Sequence, residues 1–524
     1  MRHAPFDTRL THPETGMSVS LLTVPLALFA VVAIAIRTAA HPFVQLTAGS
    51  AVATVLLAGL VTRAVLGRCG CLHLTRWDAG ALLLTAATGL VAWSKVPTNS
   101  DVDLYHHQAI IMQTVGDVPA GMANVHDRLG FVSGIHPLGA LLEVPGGGNG
   151  SRLAVSAVVL LALLALTDSV RRMRHGTPTS ADLARVSAIA LLMSHGLMEP
   201  SYWLSSPSPD LPFALTSVVA STAGLSVFNA RKSEDVDHES RVLIIFVVLA
   251  VWLRPLALVV LPVVIVGLAW NRVLPSVRLV LAASTALAVR FLYSLYASGH
   301  PLFPVAIPGW KPPWSVSLES AASTSALVRG WARLPGGDPA AVLADWSWIE
   351  WWWSYHGPRL WIIALLLVIS AVVMLLRTRA ATRKHDLVTF ALLFVPVIAW
   401  FLTAPDPRFA LGYLILPPLF LLARAFRAER TSLEHPWATR NFVNCGAIVL
   451  VAVSLMIGVI QSAPSETLTA IPKTSVMLDE PAVWVPEDGR CQRTLWCNPQ
   501  HVVVVSSSKI GPIDYVSIAD EGRP

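Results

Sequence analysis

Between Thr98 and Leu141 the chain carries Asp101, Asp103, His106, His107, Asp117, His126, Asp127, Arg128 and His136, inside a sequence that is otherwise strongly apolar. A carboxylate can take a proton from a hydroxyl, and two together can hold a divalent cation through oxygen. Asp101 and Asp103, in "DVDLYHHQ", therefore read either as a base or a magnesium- or manganese-holding pair, or as two solvated loop acids. His106, His107 and His126 suit metal ligation or hydrogen bonding to loop backbone. Arg128 adds a guanidinium, whose paired donors match phosphate oxygens.

Four further residues stand where polar groups need a reason. Asp210 ends "SYWLSSPSPD", so it either caps a helix starting near Leu211 or brings another carboxylate toward the first loop. Arg254 interrupts an apolar run beside Pro255, where a buried guanidinium is expensive unless it faces a cavity or a partner. That leaves anion binding or structural pairing. Asp406 and Arg408, in "APDPRFA", can pair with each other or reach a phosphate.

The elements that must position these residues are transmembrane helices. With 54% hydrophobic and 13% charged residues over 524 positions and a mean hydropathy of +0.60, an ordinary soluble enzyme is excluded. A bilayer core of about 30 Å needs about 20 apolar residues per helix. Such runs fall near 17–36, 43–62, 78–95, 151–169, 184–199, 211–229, 242–253, 255–270, 279–298, 359–376, 387–404, 410–424 and 440–461. The expectation is an all-α polytopic membrane protein with about 11 to 13 spans, the first retained as a helix rather than removed as a signal peptide.

Basic residues orient the spans. Arg171, Arg172 and Arg174, then Arg231 and Lys232, Arg272 and Arg278, Arg377 to Lys384, and Arg424 to Arg430 occupy alternate connections, which the positive-inside rule places in the cytoplasm. The net charge of +6 is then a topology signal, and nucleic acid is not an expected partner. The loops 96–150 and 299–358, the turns at Asp210, Arg254 and Asp406, and the tail after 462 all fall on the outward face. This gives a membrane domain over 1–461 and a small outward segment over 462–524, with a strand at "HVVVVSSS". Cys491 and Cys497 lie in that tail, where an oxidising compartment permits a disulfide. Cys69 and Cys71 lie on the other side. The loop 299–358 holds "HPLFPVAIPGWKPPW" and "DWSWIEWWWSYHGPRLW". Its prolines oppose a regular helix near 301–313, its 318–333 and 339–355 stretches suit surface helices, and its tryptophans suit an interfacial belt or a substrate cradle.

The succession "DVDLYHHQAI", "VPAGMANVHDRLGF", "SPSPDLP", "SGHPLFPVAIPGWKPPW", "PDPRFALG" and "VPEDGRCQRTLWCNP" resembles a family of bacterial multi-pass membrane proteins that are in turn similar to GT-C-class glycosyltransferases. The resemblance implies an enzyme of the bacterial cytoplasmic membrane, acting on the outer face. It would move a sugar from a polyprenyl-phosphate carrier to a lipid, glycan or protein acceptor. An acid early in the first outward loop then serves as base or metal ligand, with Asp101 the best match and Asp103 the second. Arg254 falls where a basic residue meets the carrier phosphate. No sequon-recognition signature or large soluble C-terminal domain is present, which disfavours transfer to asparagine. Two alternatives stay open. A transporter or flippase of lipid-linked sugars would also have about a dozen spans, but usually with matched broken helices. A polysaccharide polymerase or ligase would lean on arginine and histidine rather than a leading acid.

Overall fold

The computed structural model describes residues 22–66, 76–95, 97, 99–115, 118–146, 149–174, 179–194, 200–229, 233–270, 272–309, 311–377 and 383–429, with four short strands beyond. Helices come in the order α1 (Thr23–Ala40), α2 (Ala48–Leu66), α3 (Arg76–Ser94), α4 (His107–Thr114), α5 (Ile135–Gly146), α6 (Leu153–Arg174), α7 (Ser180–Leu192), α8 (Pro200–Leu204) and α9 (Asp210–Asn229). They continue with α10 (Ser233–Leu253), α11 (Leu261–Trp270), α12 (Val277–Ser298), α13 (Leu318–Trp331), α14 (Pro339–Ala344), α15 (Trp348–Arg377), α16 (Arg383–Thr403) and α17 (Leu411–Glu429). In the tail, β1 (Ser475–Val476) pairs antiparallel with β2 (Val485–Pro486), and β3 (Val505–Ile510) with β4 (Ile513–Ile518). The expected span at 440–461 and all four cysteines discussed above lie outside the described residues.

The protein is mostly helical. Among the described residues, five helical stretches are long and apolar enough to cross a membrane: Thr23–Ala40, Ala48–Leu66, Gly150–Arg174, Asp210–Phe228 and Val277–Ser298. Shorter apolar stretches occupy Ile135–Val144, Pro255–Ala269, Ile363–Val373, Ala391–Thr403 and Leu411–Arg424. This is fewer full-length apolar helices than the thirteen runs suggest, for identifiable reasons. Within the run at 184–199, α7 ends at Leu192 and has 13 residues. The run at 255–270 starts as a 3₁₀ turn, Pro255–Val260, and leaves only the 10-residue α11, while α10, which carries the run at 242–253, spends its first turns on the charged "SEDVDHES".

Helix α9 is the centre. In its 18-residue window 89% of the residues are buried, against 22% for α2, so α9 is surrounded by protein while α2 presents Val52, Leu56 and Leu60 outward. Without a water-driven hydrophobic force between helices in lipid, close approach depends on small residues. Ala214, Ser217, Ala220 and Ala223 of α9 are at most 3% exposed. Gly412 of α17 makes a close approach to α9, where a Cβ would lie 2.3 Å from the Ala214 carbonyl oxygen. That contact seats the start of α17 directly on the start of α9.

Loop 299–317 is irregular, as its prolines require, with a cis Phe303–Pro304 bond. Its Phe303 ring packs where Gly130 has no side chain, and the Trp314 carbonyl accepts from Asn124 Nδ2 at 2.9 Å. The long loop is thereby clasped to the first one.

Candidate functional site

Helix α10 ends where it does because Pro255 has no N–H to give the Val251 carbonyl and biases the preceding residue to extended backbone. Arg254 accordingly has φ −148° and ψ 133°. The carbonyls at this end are taken up by distant groups. Arg290 of α12, 2% exposed, donates from Nε to the Val251 oxygen at 2.9 Å and from a terminal nitrogen to the Val132 oxygen at 3.3 Å. The Gly134 N–H donates to the Trp252 oxygen at 2.8 Å, and Ser133 Oγ to the Leu253 oxygen at 3.3 Å. The break in α10 is therefore welded to the first loop.

Four segments separated in sequence meet at this break. The Arg254 guanidinium pairs with the carboxylate of Asp210, in the first turn of α9. A carboxylate is favoured there by the helix dipole, so Asp210 serves as an ion-pair partner beyond any capping role. Asp101 precedes a π-helical turn, Val102–His106, that leads into α4; such turns are frequent at functional sites. Its N–H donates to Asn99 Oδ1 at 3.0 Å, and Asn99 Nδ2 reaches Ser206 Oγ at 3.2 Å, which ties the start of the first loop to the "SSPSPD" turn. Its carboxylate lies 3.5 Å from Arg408 Nη1.

Arg408 sits in a 3₁₀ turn, Pro407–Phe409, whose N-cap is Asp406. The Asp406 carboxylate accepts the Arg408 N–H at 3.0 Å and lies 2.9 Å from its guanidinium Nε. The local pair and the long-range contact expected as alternatives thus coexist. Between the two arginines stands Phe409: the Arg254 guanidinium carbon is 4.3 Å from its ring centroid and that of Arg408 4.9 Å. Cation–π attraction to a shared ring holds two like charges near each other.

Burial lowers the Arg254 guanidinium to about 10, so it remains charged at neutral pH. For Arg408 burial works against the charge, but Asp406 and Asp101 outweigh it and raise the group above its ordinary value. Burial pushes the Tyr105 phenol up to about 12, with Asp101 adding to the rise. The Arg128 guanidinium is 6.0 Å from the Tyr105 ring and 5.7 Å from Phe131, with Asp127 3.8 Å away. It borders the cluster on the first-loop side.

The other expected residues are placed apart. Asp103 faces His107 at 3.8 Å, one helical turn on, while Asp101 faces Arg408. Residues two apart on a helix do not share a face, so the carboxylates are not brought to one point. Among the described residues no group of three His, Cys, Asp or Glu side chains is arranged to hold a metal. His106 is buried, its Nδ1 2.9 Å from His136 Nε2. Burial holds both imidazoles low, His106 with a further push from His136, and His136 at about 3. Two neutral rings sharing one hydrogen bond follow. His126 lies 3.4 Å from Gln108 Oε1 and 3.6 Å from Asp127.

Sequence reasoning missed Phe409, Tyr105, His136 as a partner of His106, and Gly412. Phe409 and Gly412 do stand in the same "PRFALG" stretch as Arg408, where an aromatic beside an arginine and a glycine at a helix start were the available signals.

A family model described as a domain of unknown function, DUF8201, matches residues 16–415. The chain belongs to that family. The matched range takes in every residue of the cluster, from Asp101 to Arg408, and ends early in α17, before the tail. No curated protein and no solved structure matches the chain.

Proposed function

We propose that this protein is a membrane glycosyltransferase of the GT-C kind. It would transfer a sugar from a polyprenyl-phosphate donor to a lipid, glycan or protein acceptor on the extracytoplasmic face of a bacterial cytoplasmic membrane. The observation that carries the reading is the meeting of Asp101, Asp210, Arg254, Asp406 and Arg408 around Phe409, from segments as much as 307 positions apart. In this reading Asp101 takes the proton of the acceptor hydroxyl as its oxygen attacks the anomeric carbon. The bond from that carbon to the carrier phosphate breaks, and the charge left on the phosphate is met by Arg254 and Arg408. Asp210 and Asp406 hold the two guanidiniums in place. Because Asp101 and Asp103 take different partners, the pair does not fit a shared magnesium or manganese ion, and no step is routed through one.

The reading is tested by comparing lipid and glycan composition between cells with and without the gene. A single sugar lost from one envelope product, restored by the wild-type chain but not by Asp101→Asn at equal membrane abundance, is the expected result. Unchanged composition, or full restoration by Asp101→Asn, overturns it. A product whose chain length changes while its sugars persist points instead to polymerase or ligase chemistry.

A further inference from the structure

The turn that carries Arg408 is poor in backbone donors, since Pro405 and Pro407 flank Asp406 and neither has an N–H. Its carbonyls and those ending α16 are nevertheless held one after another by side chains. Arg333 donates to the Leu402 oxygen at 3.1 Å and the Thr403 oxygen at 2.9 Å. Trp352 Nε1 donates to the Pro405 oxygen at 2.7 Å, and Trp400 Nε1 to the Asp406 oxygen at 2.7 Å. These are interior groups: Arg333, Trp352 and Trp400 are 5%, 4% and 3% exposed. They also brace each other. The Arg333 guanidinium lies 5.0 Å from the Trp348 ring, Trp348 packs edge-on to Trp352 at 6.2 Å, and Trp352 meets Trp400 at 6.1 Å.

An aromatic belt needs tryptophans at the surface, and Trp346, Trp353 and Trp361 of this region are exposed. Trp352 and Trp400 are not, and their indole donors are spent on one turn. We infer that Trp352 and Trp400, with Arg333, are positioning residues: they splint the 402–406 backbone so that Arg408 is presented to Asp101 and to an anionic phosphate. The inference rests on the proposed role of Arg408 as a phosphate contact.

The test uses the full chain in lipid nanodiscs, with farnesyl phosphate as the probe. Trp352→Phe and Trp400→Phe keep an aromatic ring and delete the donor, and Trp353→Phe is the exposed control. The buried Pro405 carbonyl left without its indole donor predicts probe binding weaker by about five- to twentyfold for Trp352→Phe, and a smaller loss for Trp400→Phe, because the Asp406 carbonyl also accepts the Phe409 N–H at 3.0 Å. Faster amide exchange confined to 404–410 should accompany it, while Trp353→Phe changes neither. A positioning role further predicts that Trp352→Phe has little added effect in an Arg408→Ala background, since coupled residues are not additive. Equal weakening in both backgrounds marks a merely structural contact and overturns the inference. Unchanged exchange at 404–410 in both tryptophan variants overturns it as well. Failure of the wild-type protein to bind the probe overturns the phosphate reading of Arg408 and, with it, the positioning role; altered exchange would then mark a structural splint only.

Discussion

Helix α10 carries a polar cluster at each end, about 22 Å apart by helical rise, and the two are built on different plans. Near its start, Glu239 pairs with Arg185 at 2.7 Å and Arg172 at 2.9 Å, and Arg172 with Asp182 at 2.5 Å. Beside them Arg171 pairs with Asp78 at 2.6 Å and Asp168 at 3.4 Å. Thr222, Ser169 and Thr23 add hydrogen bonds to Arg185 and Asp168. Every charged side chain in these pairs is at most 16% exposed. At the other end Arg254, Asp101 and Arg408 are 22%, 23% and 28% exposed, the Asp101 contact is long, and among the described residues the buried Arg254 Nε has no hydrogen-bond partner. One cluster is closed, and the other keeps its arginines and Asp101 partly exposed. Charge density alone does not mark a site; charge left partly exposed is what sets this end apart.

The difference is sharpest under substitution. Removing one partner of a closed buried pair leaves a naked charge, so Arg185→Ala is expected to cost about 3–5 kcal/mol, measured as denaturant unfolding in detergent. Arg408→Ala should cost far less stability while abolishing function; if the two variants unfold alike, the contrast fails. Gly412→Val tests how the open cluster is assembled. A side chain driven against the Ala214 carbonyl should cost about 1–3 kcal/mol, and the damage should spread to the Arg408 turn, read as increased amide exchange at 404–410.

A third way to break the contrast is pH. His106 and His136, packed against Tyr105, are held below their ordinary value in the folded state, so the unfolded chain binds protons more readily. Stability is then fully present above about pH 6.5 and falls as pH drops, by up to about 1.4 kcal/mol per unit for each ring. For His136 the fall levels off near pH 3. His136→Asn should flatten part of this slope in unfolding midpoints between pH 6.5 and 4.5, whereas an unchanged slope would show that the pair is not what titrates. The smallest effect is expected at the rim: Arg128→Ala, with its carboxylate contact at 3.8 Å, should shift stability by less than about 1 kcal/mol.

Much of this arrangement was legible in the chain. The break at Arg254-Pro255 follows from a missing N–H, the irregular 301–313 stretch from its prolines, and the helix from Asp210 from the "SPSPD" turn before it. Asp101, Asp210, Arg254, Asp406 and Arg408 were each visible as polar groups in apolar or turn context, and the structure brings all five together. Their pairing was not legible, because it depends on how helices cross. Nothing local says that Asp101 meets a guanidinium far along the chain, or that Asp103, two residues on, faces His107 instead. The tryptophans show the same limit. Composition explains an interfacial belt, yet only packing separates Trp353, which is exposed, from Trp352, whose indole is committed to Pro405.

The central claim is that Asp101 acts as a base on a sugar acceptor beside two arginines that receive a phosphate. It is tested most directly by single-turnover transfer from a purified polyprenyl-phosphate sugar, identified from the missing product, with wild-type and Asp101→Asn protein in nanodiscs. The expected rate for Asp101→Asn is lower by about 10²- to 10⁴-fold, with donor binding within about threefold of wild type. Transfer at the wild-type rate by Asp101→Asn would contradict it.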